Sequence, residues 1–398
     1  MKIKVKNRDT KGVAAGIFVP VGSAFESDDQ RGLAHFIEHM LFKGTKRRTY
    51  RDIAADIDRL GGSINAFTST EYTLFYIRVL SDFFEKGYDV LSDILTNSLM
   101  DEKELEKEKR VIIEEINMTY DNPDEAVYEF FMENAIDGTY GKSTLGTKKH
   151  IESYTKEDLL RFMGRYYKPK DMVISVVGGD IGSFNFELGD RFFFDSYRTD
   201  SGTVEPSFKF RPGVDIIHRN IAQTNVVVGC ELFNVFDEKR YAAYILNDSF
   251  GGTMSSRLFQ SIREEKSLCY SIYSSVKLFA KGGLFTIVAS TSNSNSQKLL
   301  SAIKDELVKL KRDGLSEEEF EDAKTHFLGS YALGLESNFS VMVKQGVDTI
   351  LYGKCIDESI IMRKVKELTM DDVWSVIDLI DLDRFHVTCL GNIDSVEW

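Results

Sequence analysis

The chain repeats itself in outline. A threonine cap, a helix, an apolar strand and a glycine-containing turn occupy 155–180, and the same order returns over 369–394. Thr155 with Asp158 and Thr369 with Asp372 each have the T-x-x-D spacing that opens a helix. The strands then cover 172–177 and 385–390, and Gly178 or Gly391 follows. Earlier segments correspond as well. An apolar strand over 13–21 precedes a helix, as 223–232 precedes a helix over 241–250. Residues 73–79 lead into a long helix, as 283–290 lead into 296–312, and an acidic helix over 101–118 is answered by one opening at Ser316 and Glu319. A repeated unit with strands followed by helix runs predicts an α+β fold: two structurally similar domains from a divergent tandem repeat, each with helices on one sheet face. A chain of 398 residues exceeds one ordinary core and agrees with two. Asp200, Ser201, Gly202, Pro206, Pro212 and Gly213 interrupt the periodicity between 197 and 214. The expected division is therefore 1–200, a linker 201–213, and 214–398.

One motif falls in the first repeat only. His35, Glu38 and His39 form H-x-x-E-H, the reverse of the commoner H-E-x-x-H zinc motif. On a helix, His35 and His39 lie one above the other and Glu38 shares their side. Two imidazoles and a carboxylate converging on one point suit a metal with an adjacent general base. The same spacing also occurs on solvated helix faces. Here only six histidines exist in the chain, and Leu33, Ala34, Phe36, Ile37, Met40, Leu41 and Phe42 surround the pair with apolar groups. A buried imidazole pair beside a carboxylate requires a partner, and a cation serves.

A catalytic zinc takes three protein ligands and keeps an open position. The segment 101–116 is rich in helix formers and acidic residues. Glu114 shares its face with Lys107 and Arg110, a solvated ion-pair face. Glu115 shares its face with Val111, Ile112 and Glu108, which predicts an inward face with two carboxylates seven residues apart. Glu115 is the expected third ligand and Glu108 the group that orients a ligand imidazole. Without the upstream motif, an exposed acidic helix is the alternative reading.

Residues 32–45, from Gly32 through the motif to Phe42, Lys43, Gly44 and Thr45, resemble the zinc motif of the pitrilysin, insulin-degrading enzyme and mitochondrial processing peptidase family. That family places its third ligand, a glutamate, 76 residues beyond the second histidine, and Glu115 stands there. The resemblance continues through 61–73 and 145–147 into the second half. It implies zinc (Zn2+) held by His35, His39 and Glu115, with Glu38 as the base. It further implies that 61–67 is an exposed edge strand pairing with substrate backbone at Asn65 and Ala66, and that Phe42 lines the site. Read alone, Asn65 is a turn residue after a glycine pair and Phe42 a core residue. Residues 255–270 resemble the segment carrying the family's substrate-binding arginine and tyrosine, which map to Arg263 and Tyr270. Ser267 and Thr253 depart from glycines usual in that segment. Read alone, Arg263 is a surface cation beside Glu264 and Glu265.

The resemblance implies two similar domains, each a mainly antiparallel sheet flanked by helices, and a zinc endopeptidase for peptides or unfolded segments, acting in a closed chamber made by a homodimer. Four-domain relatives carry the zinc on the first domain and the Arg and Tyr pair on the fourth, so two copies of this chain would complete the site in trans. The rival reading is a non-catalytic interaction or structural subunit, which the same family also contains. A metal-storage module is a third. The net charge of −13 argues against nucleic acid as a partner. No run of about eighteen apolar residues suggests a membrane span, and the first residues have no apolar core of a secretory signal. The four cysteines, all in the second half and without C-x-x-C spacing, point to a reducing cytoplasm.

Overall fold

A computed structural model of the chain describes every residue except 183, 187, 189–191, 200 and 201. Asp200 and Ser201 of the expected boundary thus lie outside the described residues. The repeat resolves into two five-stranded sheets. The first holds β1 (Lys2–Asn7), β2 (Gly12–Val19), β3 (Ser63–Thr68), β4 (Thr73–Leu80) and, after a two-residue β5 (Ile136–Asp137), β6 (Val173–Gly178). The second follows a two-residue β7 (Lys209–Phe210), the partner of β5, and holds β8 (Gly213–His218), β9 (Gln223–Leu232), β10 (Ser271–Leu278), β11 (Gly283–Ser292) and β12 (His386–Gly391). Their orders, β1-β6-β2-β4-β3 and β8-β12-β9-β11-β10, correspond strand for strand.

Each sheet is mixed. Three pairs are antiparallel, while β1 with β6 and β8 with β12 run parallel. The parallel pair lies at one edge, so each sheet is mainly antiparallel, as expected. β1 alternates lysines with apolar residues and stays largely exposed, as an edge strand tolerates. β2 lies near the middle of its sheet and is buried on both faces from Val13 to Val19, so its sequence reads as a continuous apolar run.

Helices α1 (Leu33–Leu41), α2 (Tyr50–Asp58), α3 (Phe84–Thr96), α4 (Glu102–Asp121), α5 (Pro123–Ala135), α6 (Lys148–Ser153) and α7 (Lys156–Tyr166) precede the second sheet. Helices α8 (Arg240–Asn247), α9 (Ser296–Asp313), α10 (Glu317–Gly334), α11 (Asn338–Tyr352), α12 (Glu358–Glu367) and α13 (Met370–Ile377) belong to the second half of the sequence. Thr155 with Asp158 and Thr369 with Asp372 form reciprocal capping boxes on α7 and α13. Ser316 and Glu319 bond in the same way ahead of α10.

The two compact units interleave in sequence. One comprises Met1–Asn117, Lys142–Pro206 and Leu333–Ile356; the other comprises Met118–Gly141, Ser207–Ala332 and Asp357–Trp398. A division into 1–200 and 214–398 assigns α5 and α11 to the wrong sheets. α11 lies on β2 and β6 of the first unit, where Val341 and Met342 are buried with Ala14, Phe18, Leu74, Val173 and Val177. Gln345 Nε2 donates to Lys4 O at 2.9 Å and to Ser175 Oγ at 3.1 Å, which secures the polar side of that contact. α5 lies on β9 and β12 of the second unit, with the fully buried Phe131 ring 5.6 Å from that of His386. No helix among the described residues is long and apolar enough to cross a membrane.

Candidate metal centre

The motif helix is fixed from below by its core face. Phe36, Ile37, Met40 and Leu41 are fully buried, and each contributes about 1.5–3 kcal/mol by leaving water. The register of the histidines is therefore set by residues other than the histidines. At its start, Gly32 is left-handed (φ 83°) and offers no side chain to cap the helix. Glu26 does so instead: Oε2 accepts from Gly32 N and Oε1 from Ala34 N, both at 2.7 Å, a carboxyl group at the positive end of the helix. Burial pushes the Glu26 pKa up to about 8, against the opposing pull of the two amides and of Lys142 and Arg31. Gly32 also crosses the 145–147 segment so closely that a Cβ would meet Leu145 O at 2.5 Å and Gly146 Cα at 2.8 Å. That crossing accounts for the glycines in both motif segments.

His35 and His39 place their Nε2 atoms 3.2 Å apart. Glu115, carried by α4, brings Oε2 to 3.5 Å from His39 Nε2 and 3.8 Å from His35 Nε2. Glu114, its neighbour, is exposed. Among the described residues, His35, His39 and Glu115 are the one group of three whose donor atoms all lie within 4.8 Å of one another. His39 Nδ1 lies 3.1 Å from Glu108 Oε2, and the buried Glu108 also takes Lys43 Nζ on Oε1 at 2.6 Å. An ionised carboxylate only accepts, so Nδ1 of His39 carries the proton and Nε2 keeps its lone pair. Burial works against ionisation of Glu108, yet the hydrogen bonds from His39 and Lys43 outweigh it and hold its pKa below the usual value.

Burial, and then the neighbouring His39, depress the His35 pKa to about 3, so His35 is neutral over the ordinary pH range. Two imidazoles with facing nitrogens need a proton or a cation between them. Zinc bound at about 2.0–2.2 Å to tetrahedral N and O ligands sets them roughly 3.3–3.6 Å apart. The donor set and its spacing fit that ion.

Glu38 projects from the same side of α1 and is partly buried. Its Oε2 accepts from Thr68 Oγ1 at 2.6 Å. Burial raises its pKa; the Thr68 hydrogen bond and His39 pull the other way, and Glu115 adds to the rise.

The other expected residues are placed as follows. β3 is an edge strand, paired on one side only with β4. Asn65 and Ala66 lie in it, Asn65 exposed, and its Oδ1 accepts from Ala66 N at 2.9 Å. Phe42 ends α1 and packs against Phe75, ring centres 6.4 Å apart. Arg263 and Tyr270 belong to the second unit. The Arg263 guanidinium lies over the rings of Phe259 (4.3 Å) and Tyr270 (5.6 Å), and Tyr270 is 80% exposed. Ser267 between them has φ 51°, the left-handed region that glycine occupies without strain. Glu26, Lys43 and Thr68 were not among the residues singled out from sequence. Lys43 and Thr68 stand inside the motif segments, and that adjacency was the available signal.

Comparisons with known proteins agree on one family. Residues 2–148 match the family described as Insulinase (Peptidase family M16), and residues 153–327 match the one described as Peptidase M16 inactive domain. The uncharacterized zinc protease YmxG of Bacillus subtilis is 35% identical over 395 residues, which covers 97% of this chain and 92% of that protein. An uncharacterized zinc protease of Rickettsia felis is 34% identical over 363 residues, 91% of this chain and 88% of that one. Among solved structures, a protease from Helicobacter pylori superposes with a TM-score of 0.88 at 21% identity, covering 98% of this chain and 96% of that one. A peptidase M16 inactive domain from Pseudomonas fluorescens gives the same TM-score of 0.88 at 19% identity, covering 99% and 96%.

Proposed function

The chain belongs to peptidase family M16, and from that premise we propose that it is a zinc-dependent endopeptidase hydrolysing peptides or unfolded protein segments. The observation that carries this reading is the convergence of His35, His39 and Glu115 with Glu38 on the same side of α1. His35, His39 and Glu115 would hold the ion. When bound, zinc supplies a Lewis acid that polarises a carbonyl and lowers the pKa of a water.

The remaining work falls to the chain. Glu38 accepts a proton from the attacking water and delivers it to the departing amine. Its burial suits that task, because a desolvated carboxylate is a stronger base. Glu108 and Lys43 hold His39 with Nε2 unprotonated. The free edge of β3 accepts an extended substrate as an added strand, at Asn65 and Ala66. The Asn65 amide must release Ala66 N for that pairing, and Phe42 borders the same region. Arg263 and Tyr270 act as donors to the oxyanion. We assign them to the site of a second copy, in a homodimer that encloses a chamber. The four cysteines, all free, support a reducing compartment, and the cytoplasm is our assignment.

Hydrolysis of a fluorogenic peptide library, with zinc content measured in parallel, tests the reading. About one zinc per chain is expected, with activity lost on chelation and restored by zinc. Glu38→Gln should keep the zinc and lower kcat about 10²–10⁴-fold. Full activity of metal-free protein would refute the proposal. Bound zinc with no hydrolysis of any peptide would favour the non-catalytic subunit.

A further inference from the structure

Glu38 receives its hydrogen bond from the edge strand, not from its own helix. Thr68 is the last residue of β3, opposite Thr73 of β4, and its hydroxyl donates to Glu38 Oε2 at 2.6 Å. A bond this short to a carboxylate is of the strong, charge-assisted kind.

The turn that follows Thr68 holds it in place. Ser69 N donates to Tyr72 O at 2.8 Å and Ser69 Oγ to the same oxygen at 2.9 Å, while Tyr72 N donates to Ser69 Oγ at 3.1 Å. Outside the hairpin, Ala24 N donates to Thr70 O at 2.9 Å, and Thr73 Oγ1 donates to Val21 O at 2.9 Å. The donor to Glu38 is therefore built into a braced hairpin. The acceptor rides on α1, whose position the core fixes.

We propose that Thr68 is a positioning residue whose hydroxyl ties the carboxylate of Glu38 to the substrate-binding edge strand. The proposal rests on the peptidase reading, with Glu38 as base. With Oε2 held, rotation of the carboxyl group about its last torsion is stopped, and that torsion is otherwise soft. A peptide added to β3 and the base then share one frame.

The test compares zinc-loaded parent with Thr68→Val, Thr68→Ser and Thr68→Cys on one fluorogenic peptide. Valine keeps the β-branched shape and strand preference and removes the hydroxyl donor, while the backbone hydrogen bond from Thr68 to Glu38 remains. Thr68→Val should bind about one zinc per chain, keep KM within about twofold and lose about 10- to 100-fold in kcat, the size expected for one hydrogen bond to a charged group. Thr68→Ser should return kcat to near the parent value. Thr68→Cys, a weak donor, should fall between, and the ratio of Ser to Cys carries the test should the valine variant fail to fold. Parent-like kcat in Thr68→Val, a serine variant as slow as the valine or cysteine one, or loss of zinc alongside kcat would overturn the proposal. A parent that binds zinc yet hydrolyses nothing would instead bring down the peptidase reading, so the two failures are distinct.

Discussion

Adjacent carboxylates on α4 have opposite surroundings. Glu115 faces two imidazole nitrogens, Glu108 is buried between His39 and Lys43, and Glu114 faces solvent. Three conservative substitutions should therefore separate. Glu115→Gln should weaken zinc binding most, Glu108→Gln should weaken it about 10- to 100-fold, and Glu114→Gln should leave it near parent. A competition titration with a chromogenic zinc chelator reads all three. Equal losses at 114 and 115 would show that the facing of α4 does not govern ligation. Facing is a local property, so the distinction between these neighbours was legible in the sequence from helical period alone. The grip of Lys43 on Glu108 was not, since a lysine beside a motif reads equally well as a solvated cation.

At the scale of elements, α1 depends on a cap that it does not itself contain. Glu26 occupies its N-terminal end with a folded pKa of about 8 against an ordinary 4.5. The folded state thus binds a proton more tightly than the unfolded chain does. The stability this contributes is fully present below about pH 4.5 and is lost as pH rises through about 8. Glu26→Gln cannot titrate, and it turns an amide donor toward a backbone N–H, a loss of about 1–3 kcal/mol. Urea midpoints should show the variant less stable than parent at pH 5, with the gap narrowing toward pH 8.5. A gap that widens with pH would reverse the assignment. The second unit's matching elements explain why it has no such centre among the described residues. Setting Phe250 against Phe42 puts Ala243 and Asn247 opposite His35 and His39, with Leu246 opposite Glu38. Setting Ser316 against Asp101 puts Ala323 and Ser330 opposite Glu108 and Glu115. The sheet persists while each donor is replaced, because strand pairing and core burial do not need the donors.

For the whole molecule, the proposed assembly in trans makes a prediction that single-chain catalysis does not. A chain carrying Glu38→Gln and a chain carrying Arg263→Ala with Tyr270→Ala should each be inactive alone. Mixed in equal amounts and allowed to exchange at random, about half the dimers should be heterodimers with one intact composite site of two, so activity should recover toward about a quarter of the parent level. Native mass spectrometry establishes the heterodimers independently. Heterodimers without recovered activity would point to a site completed within one chain.

The amino-acid sequence by itself determined the strands and helices of the repeat, the caps on α7, α10 and α13, and the side of α1 and α4 from which His35, His39 and Glu115 project. Those properties follow from periodicity and from bonds between residues a few positions apart. Tertiary structure alone decided which surfaces meet. α5 and α11 carry apolar faces that either sheet could cover, and only packing sent each to the unit opposite its place in the sequence. Thr68 reaches Glu38 across thirty residues of chain, and Glu26 reaches the start of α1 across a loop. No local pattern encodes such pairs, since their geometry exists only after the hairpin, the helix and the core have fixed one another.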